Sequence, residues 1–390
     1  MNRREFLTAA SALPMLQLMG CAGTQSRLDA DVRFDGSVLI LGAGAAGLAA
    51  GYMLDRHGID YRILEARDRI GGRVKRLDGF ADVPLDLGAE WIHQDPSVLA
   101  ELVDDSAVDG RIEVVRYEPQ SISTWGNGSL QRLNLGRNYY AEWKFKRTTW
   151  FDFLESQIAP ASEGRIEFDT PVVRIERDAT GVRVTAADGT VYEADRIVIT
   201  APIAVLQSDT IEFEPAVPRH REAWEAVFIP AGLKAALRFS ERFYPDLTIV
   251  QVFSEGAEKL YFDGVFRKEV DQHVMHFFWV AEETSEWTDL GDDDAILEAL
   301  LDELDAIFDG AARRHLIEAR VENWAADPYA RGAYSFSYTG DETEIIETLR
   351  TPVDDQLYFA GEACSADNTA TVPGAIEAAY DAVRKLLETA

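Results

Sequence analysis

A short apolar strand that runs straight into a glycine-rich turn leaves a chain few folds to adopt. Here Val38-Leu39-Ile40-Leu41 leads into Gly42-Ala43-Gly44-Ala45-Ala46-Gly47, and an acidic residue, Glu65, closes the next predicted strand, Tyr61 to Glu65. In such a unit Gly42 permits the tight strand-to-helix turn, Gly44 lets the backbone approach a pyrophosphate, and Gly47 packs helix on sheet. The spacing predicts a helix over 45–57 with its positive end toward the phosphates, and a Glu65 carboxylate placed for ribose hydroxyls. The expected fold class is α/β, built on a dinucleotide-binding βαβ unit.

Upstream, Asn2-Arg3-Arg4-Glu5-Phe6-Leu7-Thr8 precedes an uncharged, mostly apolar stretch to Gly20 that is too short for an ordinary membrane span. The twin arginines followed by Phe-Leu resemble a Tat export signal, and Leu18-Met19-Gly20-Cys21 resembles a lipoprotein signal-peptidase site. These resemblances imply a signal peptide over 1–21, a tether over 22–35, export to the bacterial periplasm and a membrane tether through lipidated Cys21. Tat export carries folded proteins, which suits a cofactor acquired in the cytoplasm. With Cys21 acylated, Cys364 has no partner for an intramolecular disulfide, and the core must hold the fold.

The chain carries 38 Lys and Arg against 68 Asp and Glu, a net charge of −30, which argues against a nucleic-acid partner. Such a surface is either simply solvated or, if its field is focused at a cleft, speeds cationic ligands by roughly ten to a thousandfold. Asp292-Asp293-Asp294, ahead of the helical pattern 295–308, reads as a helix N-terminus complementing its dipole.

Further motifs narrow the class. Glu65-Ala66-Arg67-Asp68-Arg69-Ile70-Gly71-Gly72-Arg73 extends the acidic residue into a glycine-hinged loop ending in an arginine suited to a second phosphate. Together with Gly88-Ala89-Glu90-Trp91-Ile92-His93, the segment Thr190 to Pro202, and Leu357-Tyr358-Phe359-Ala360-Gly361-Glu362, it resembles the flavin-containing amine oxidase family. That family includes monoamine oxidases, polyamine oxidases and histone-demethylase-type enzymes, and the resemblance runs from about residue 36 to the end.

The resemblance implies FAD, with Glu65 on the adenosine ribose, Arg73 on the pyrophosphate, the Val173 backbone on the adenine and Glu362 on the pyrophosphate and ribitol side. Val372, opening a predicted helix over 373–389, would donate its amide to the flavin pyrimidine, where a helix N-terminus stabilises the charge of the reduced ring. Further cofactor contacts fall on Gly42, Gly44, Gly47, Arg67, Gly72, Gly88, Ala89, Glu90, Trp91 and Gly361. Ala333 stands where monoamine oxidases carry the cysteine that attaches the flavin, which implies a noncovalent cofactor. Cys364 reads as a packing residue. No metal is expected. The implied architecture is a Rossmann-like FAD-binding domain of the two-dinucleotide-binding-domain flavoprotein type, drawn from 36–95, 165–205 and 350–390. It is interleaved with a mixed-sheet substrate domain from 96–164 and 206–349.

In the middle of the chain, Leu233, Ala235, Leu237 and Phe239 alternate with Lys234, Ala236 and Arg238, and strand-like runs follow at 248–254, 259–266 and 273–280. Alternation puts Lys234 on the face opposite the apolar one and leaves a solvent-facing and a functional lysine both open. The context Gly232-Leu233-Lys234 is similar to the family segment whose lysine holds a water at flavin N5, which implies a catalytic role. Trp324 to Ser335 is another match, placing Tyr334 as one wall of an aromatic cage. Tyr334, Phe336 and Tyr338 are predicted to share one face of the following strand. The position of the opposing wall is Thr371.

An alkyl amine with a pKa near 10.4 is neutral in roughly one molecule in two thousand at pH 7, and only the neutral form can release hydride. His93 is the candidate proton acceptor and Glu90 a candidate anchor for a second ammonium. Between His93 and residue 166 lie only about seventy residues, where the family places a long helical insertion over the cavity. A shortened roof is expected, with the patch Tyr139-Tyr140-Ala141-Glu142-Trp143-Lys144-Phe145-Lys146-Arg147 as a partly buried helix or, alternatively, a contact for a partner or membrane surface. The resemblance implies oxidation of a monoamine or polyamine-like substrate to an imine by hydride transfer to the flavin, with oxygen reduced to hydrogen peroxide. Two alternatives stand beside it: a flavin desaturase or isomerase of an apolar substrate, and a catalytically weak FAD-binding envelope protein that serves as a binding partner.

Overall fold

The structure, a computed structural model, describes residues 26–134, 141–250 and 258–389. Residues 1–25, with the export signal and Cys21, lie outside the described residues, as do Tyr139 and Tyr140.

Five strands form a wholly parallel sheet in the spatial order Ile166–Glu167, Asp60–Leu64, Ser37–Leu41, Arg196–Ile199, Leu357–Phe359. Numbered along the chain this is 3-2-1-4-5, a doubly wound order whose ligands sit at the carboxyl ends of the strands. A parallel sheet covered on both faces needs apolar residues on both. Accordingly Val38 and Ile40 enter one core with the helices Ala45–Arg56 and Val372–Glu388, while Leu39 and Leu41 enter another with Val172, Val182 and Val184. Nine of the twelve residues of Ala45–Arg56 are buried, because that helix is wedged against its neighbours on nearly all sides. Val172, Val182 and Val184 belong to a four-stranded sheet, Val191–Ala194, Gly181–Ala186, Val172–Asp178 and Glu212–Glu214.

A seven-stranded mixed sheet is built from Leu316–Asn323, Ala231–Phe239, His273–Ala281, Glu258–Asp263, Leu247–Val250, Ile122–Gly126 and Ser129–Leu133. Leu233, Ala235, Leu237 and Phe239 pack beneath the helix Asp293–Ile307, whose first turn Asp292 caps through the Ala295 amide. The opposite face of the same strand is not solvated: Ala236 packs on Leu85 and Leu87. Lys234, on that face, is only 3% exposed, so the solvent-facing alternative gives way to a second layer that alternation does not see.

Two local expectations also change. The patch at 139–147 is not a helix where it is described. Glu142–Phe145 is a strand between Trp91–Ile92 and Val114–Tyr117, and pairing on both edges overrides any helical tendency. The strand expected through Tyr334, Phe336 and Tyr338 shrinks to Ser337–Tyr338. Upstream of it the Ser335 amide and hydroxyl are both bound to Glu362, which takes them out of any ladder. Between His93 and Ile166 the α-helices among the described residues are short, Val98–Val103 and Trp150–Phe153.

Candidate active site

At the carboxyl ends of the parallel strands opens a cavity of about 500 Å³ that continues to the inner face of the seven-stranded sheet. Ligand pockets commonly measure about 300–1,000 Å³, and this cavity falls within that range.

One end of the cavity belongs to the glycine-rich turn. Gly42 takes a φ of +99°, which a side chain would strain. A Cβ on Gly44 would find nothing closer than 3.9 Å, so the space above it is open. A Cβ on Gly47 would lie 1.8 Å from the Gly42 carbonyl, so Gly47 packs the turn and does not line the cavity. Glu65, which lines the cavity, accepts from the Ala43 amide at 2.6 Å and the Arg67 amide at 2.9 Å and has acceptor capacity to spare. Arg67 is held by Asp327 at 2.6 Å and lies over the Tyr329 ring. Val173 sits where the ladder of Val172–Asp178 slips register, which leaves its backbone outside the pairing and facing the cavity.

Further in, Gly72, Arg73, Gly88, Ala89, Gly361 and Glu362 line the walls. Arg73 donates to the Ala333 carbonyl and, at 3.2 Å, to Glu362. Glu362 also accepts from the Ala370 amide at 3.1 Å. It therefore ties the loop before the C-terminal helix to the arginine. That helix begins with a built donor. Thr371 caps it, accepting from the Gly374 amide at 3.0 Å and donating to the Asn368 carbonyl at 2.7 Å, while the Ala375 amide bonds the Thr371 carbonyl. Pro373 has no N–H, so the Val372 amide is the first-turn donor left without a partner among the described residues. Thr371 lines the cavity, as its place opposite Tyr334 requires, with its hydroxyl engaged as the helix cap.

At the far end Lys234 enters between Leu233, Phe278, Val280, Trp324 and Tyr334. Its Nζ donates to the Gly88 carbonyl at 3.0 Å and to Glu90 Oε2 at 2.7 Å. An ammonium has three donors, and the third is unengaged among the described residues. Behind it lies a closed polar cluster. Glu90 also accepts from Lys144 at 2.9 Å and from His276 Nδ1 at 2.9 Å. Burial raises the Glu90 carboxyl, but Lys144, Lys234 and His276 together hold it well below the usual carboxylate range, so it is ionised. An ionised carboxylate only accepts, so His276 carries its proton on Nδ1. Burial pushes the His276 pKa down to about 4, and its Nε2 has no partner among the described residues. Lys144 is enclosed by the rings of Trp91, Tyr117 and Phe262 and donates to the Gly264 carbonyl at 3.2 Å. Nearby, burial and the charge of Glu90 raise Asp86 to about 7, and burial together with Lys144 lowers Lys268 to about 8.

Three expectations are corrected by this placement. Glu90 is surrounded by the chain's own cations and does not line the cavity, so it is not an anchor for a second ammonium or a direct cofactor contact. Trp91 also lies outside the cavity, as a wall around Lys144. His93 is not among the residues lining the cavity and has Nδ1 on Glu142 at 3.2 Å, so it is not placed against a substrate there as the proton acceptor. Lys144, His276, Asp86 and Lys268 were missed. The available signal was weak: His276 sits in an apolar run, His273–Ala281, whose length on both faces implies burial of everything in it.

Cys364 is buried in the core beneath the parallel sheet, and burial pushes its thiol up to about 12, so it is unreactive packing. Among the described residues no group of His, Cys, Asp and Glu is arranged to hold a metal ion.

A family model described as flavin containing amine oxidoreductase matches residues 45–147 and 151–387. Among curated relatives, Polyamine oxidase 3 of Oryza sativa subsp. japonica is 26% identical over 87% of this chain and 86% of its own length. Lysine-specific histone demethylase 2 of Homo sapiens is 24% identical over 87% of this chain and 52% of its own. Among solved structures, cyclohexylamine oxidase from Brevibacterium oxydans IH-35A superposes with a TM-score of 0.75 at 18% identity, covering 91% of this chain and 99% of that one. A putrescine oxidase variant redesigned in cofactor binding gives 0.74 at 16%, covering 91% and 100%.

Proposed function

Because the chain belongs to the flavin containing amine oxidoreductase family, we propose that it lays FAD along the cavity and oxidises an apolar amine of single positive charge to the imine, with oxygen as acceptor. The residues present fit the cofactor. The open space over Gly44 suits a pyrophosphate, Glu65 a ribose, the bulged Val173 backbone an adenine edge, and the free Val372 amide an electron-rich ring. The attachment is noncovalent: Ala333 offers no thiol, and Cys364 is enclosed in the core. FAD, when bound, supplies the two-electron acceptor that takes hydride from the amine α-carbon and passes the electrons to oxygen, giving hydrogen peroxide.

The protein's own groups do the rest. The acidic surface draws an ammonium toward the opening. Tyr334, Trp324, Phe278 and Leu233 exclude water, and such a desolvated pocket lowers the amine pKa toward the reactive neutral form. Lys234 lines the cavity with one N–H unengaged among the described residues, a donor available to orient a water there.

The observation that carries the substrate class is the lining. Its only carboxylates among the described residues are Glu65 and Glu362, and both lie on the side assigned to the cofactor, engaged by the protein's own donors. With Glu90 enclosed, nothing described there is placed for a distal ammonium. Anaerobic mixing of the FAD-loaded protein with amines from cyclohexylamine and benzylamine to putrescine and spermine tests this directly. Bleaching of the flavin absorption by the monoamines is expected. Bleaching by spermine alone would replace the substrate class, and stoichiometric flavin bleached by no amine would favour a desaturase of an apolar substrate or a non-catalytic binding protein.

The sequence pattern of residues 1–21 extends the proposal to location: Tat export to the periplasm and a lipid anchor on Cys21. Among the described residues no helix is long and apolar enough to cross a membrane. Conversion of Arg3 and Arg4 to lysine is expected to retain the protein in the cytoplasm, as read by fractionation; unchanged export would refute the signal.

A further inference from the structure

Lys234 would be anchored adequately by Glu90 alone, yet the structure buries a second lysine on the same carboxylate. Removing charges from water costs several kcal/mol per ion, and well-packed apolar residues often serve stability as well or better. Lys144 is 1% exposed, closed in by three aromatic rings, and its Nζ reaches Glu90 Oε1 while Lys234 takes Oε2. A one-to-one pair of Lys234 and Glu90 would be neutral seen from the cavity. With Lys144 added, two cations share one anion; Lys268 and Asp86 close by form a further pair of opposite sign, and the cluster presents a net positive charge through the only member that lines the cavity. His276 adds a hydrogen bond from Nδ1 without adding charge.

We propose that Glu90 and Lys144 are positioning residues: Glu90 fixes the Lys234 Nζ against the Gly88 carbonyl, and Lys144 keeps the field behind the flavin-facing end of the cavity positive. This rests on the reading of the cavity as the FAD site. Glu90 holds a pose and would by itself quench the field, so each residue makes sense only with the other. The geometry is specific. The carboxylate has one oxygen for each lysine, and the strands bearing them, Ala231–Phe239 and Glu142–Phe145, meet through residues 88–92.

Sulfite affinity of the FAD-loaded protein tests this without turnover. Sulfite adds to the oxidised flavin as an anion, so its dissociation constant reads the positive potential at the ring. Lys144→Met is expected to weaken sulfite binding about tenfold, and Glu90→Gln to tighten it about tenfold. The double variant Glu90→Gln, Lys144→Met restores the charge count and is expected to return to within about threefold of the parent. Residues with a merely structural role would move the constant the same way in both single variants and further in the double, and that result would overturn the proposal. Should a single variant not fold, the double decides: within about threefold of the parent supports the proposal, and a tenfold loss overturns it. Lys234→Met separates the two levels. No change in sulfite affinity there means that Lys234 is not beside the flavin and the site reading fails; a clear loss there with same-direction single variants overturns the positioning roles alone.

Discussion

Replacing Gly44 by alanine yields a protein that folds as the parent does and binds FAD on the order of tenfold to a hundredfold more weakly. Gly44 has an ordinary extended backbone, φ −75° and ψ −173°, so alanine introduces no strain. Its Cβ would meet no atom of the protein within 3.9 Å. The added methyl occupies only the space over the turn, where a phosphate would approach the backbone, and removes a charge-assisted contact there. Gly47→Ala is the contrasting case. Its Cβ would sit 1.8 Å from the Gly42 carbonyl, a clash with backbone that can be relieved only by pulling helix from strand. This variant is expected to be strongly destabilised, its apo form melting far below the Gly44 variant. Thermal melting of both flavin-free proteins, followed by FAD titration, checks the pair. Full FAD affinity in Gly44→Ala would show that no pyrophosphate crosses the turn.

Lys234→Met is expected to lower oxygen-dependent turnover by about a hundredfold or more while anaerobic bleaching by amine changes less than about tenfold. Methionine nearly fills the volume but removes the charge and all three donors, including the one left for the cavity. Glu90 keeps Lys144 and His276, so its carboxylate remains paired and the variant should stay below the cost of about 3–5 kcal/mol typical of stranding a buried ion. Stopped-flow measurement of the two half-reactions, on protein with confirmed flavin stoichiometry, separates them. Equal losses in both halves would give Lys234 a general structural role and remove it from oxygen chemistry.

These two experiments address residues that differ in how openly the chain displays them. The glycine-rich turn, the strands at 37–41 and 60–64 and the helix between them are contiguous, and each depends on neighbours within about thirty residues. Local sterics and apolar patterning decide them, so they are legible from the residues in order. The same holds for the C-terminal helix and for the Asp292 cap, where a short polar side chain meets an unpaired amide three residues on. The family likeness was legible too, because its motifs lie along the chain in order.

The site behind Lys234 was not legible, and the reason is distance. Lys144, Lys234 and His276 lie 54 to 186 residues from Glu90 along the chain, and the four meet only because two separate sheets bring them together. Read in sequence, Lys144 belongs to an aromatic and basic patch, Glu90 is a candidate anchor for a second ammonium beside His93, and only the family resemblance gives Lys234 a catalytic role. In the folded chain Lys144 is caged, Glu90 is ionised by its neighbours, His93 turns aside to Glu142, and Lys234 is buried with one donor left over. Sequence by itself determined the βαβ unit, the parallel sheet's apolar strands and the place of the cofactor turn, since these follow from short-range periodicity and glycine sterics. Tertiary structure alone decided which charges lose water and which partners replace it, since burial is a property of layers packed against one another and no single strand carries it.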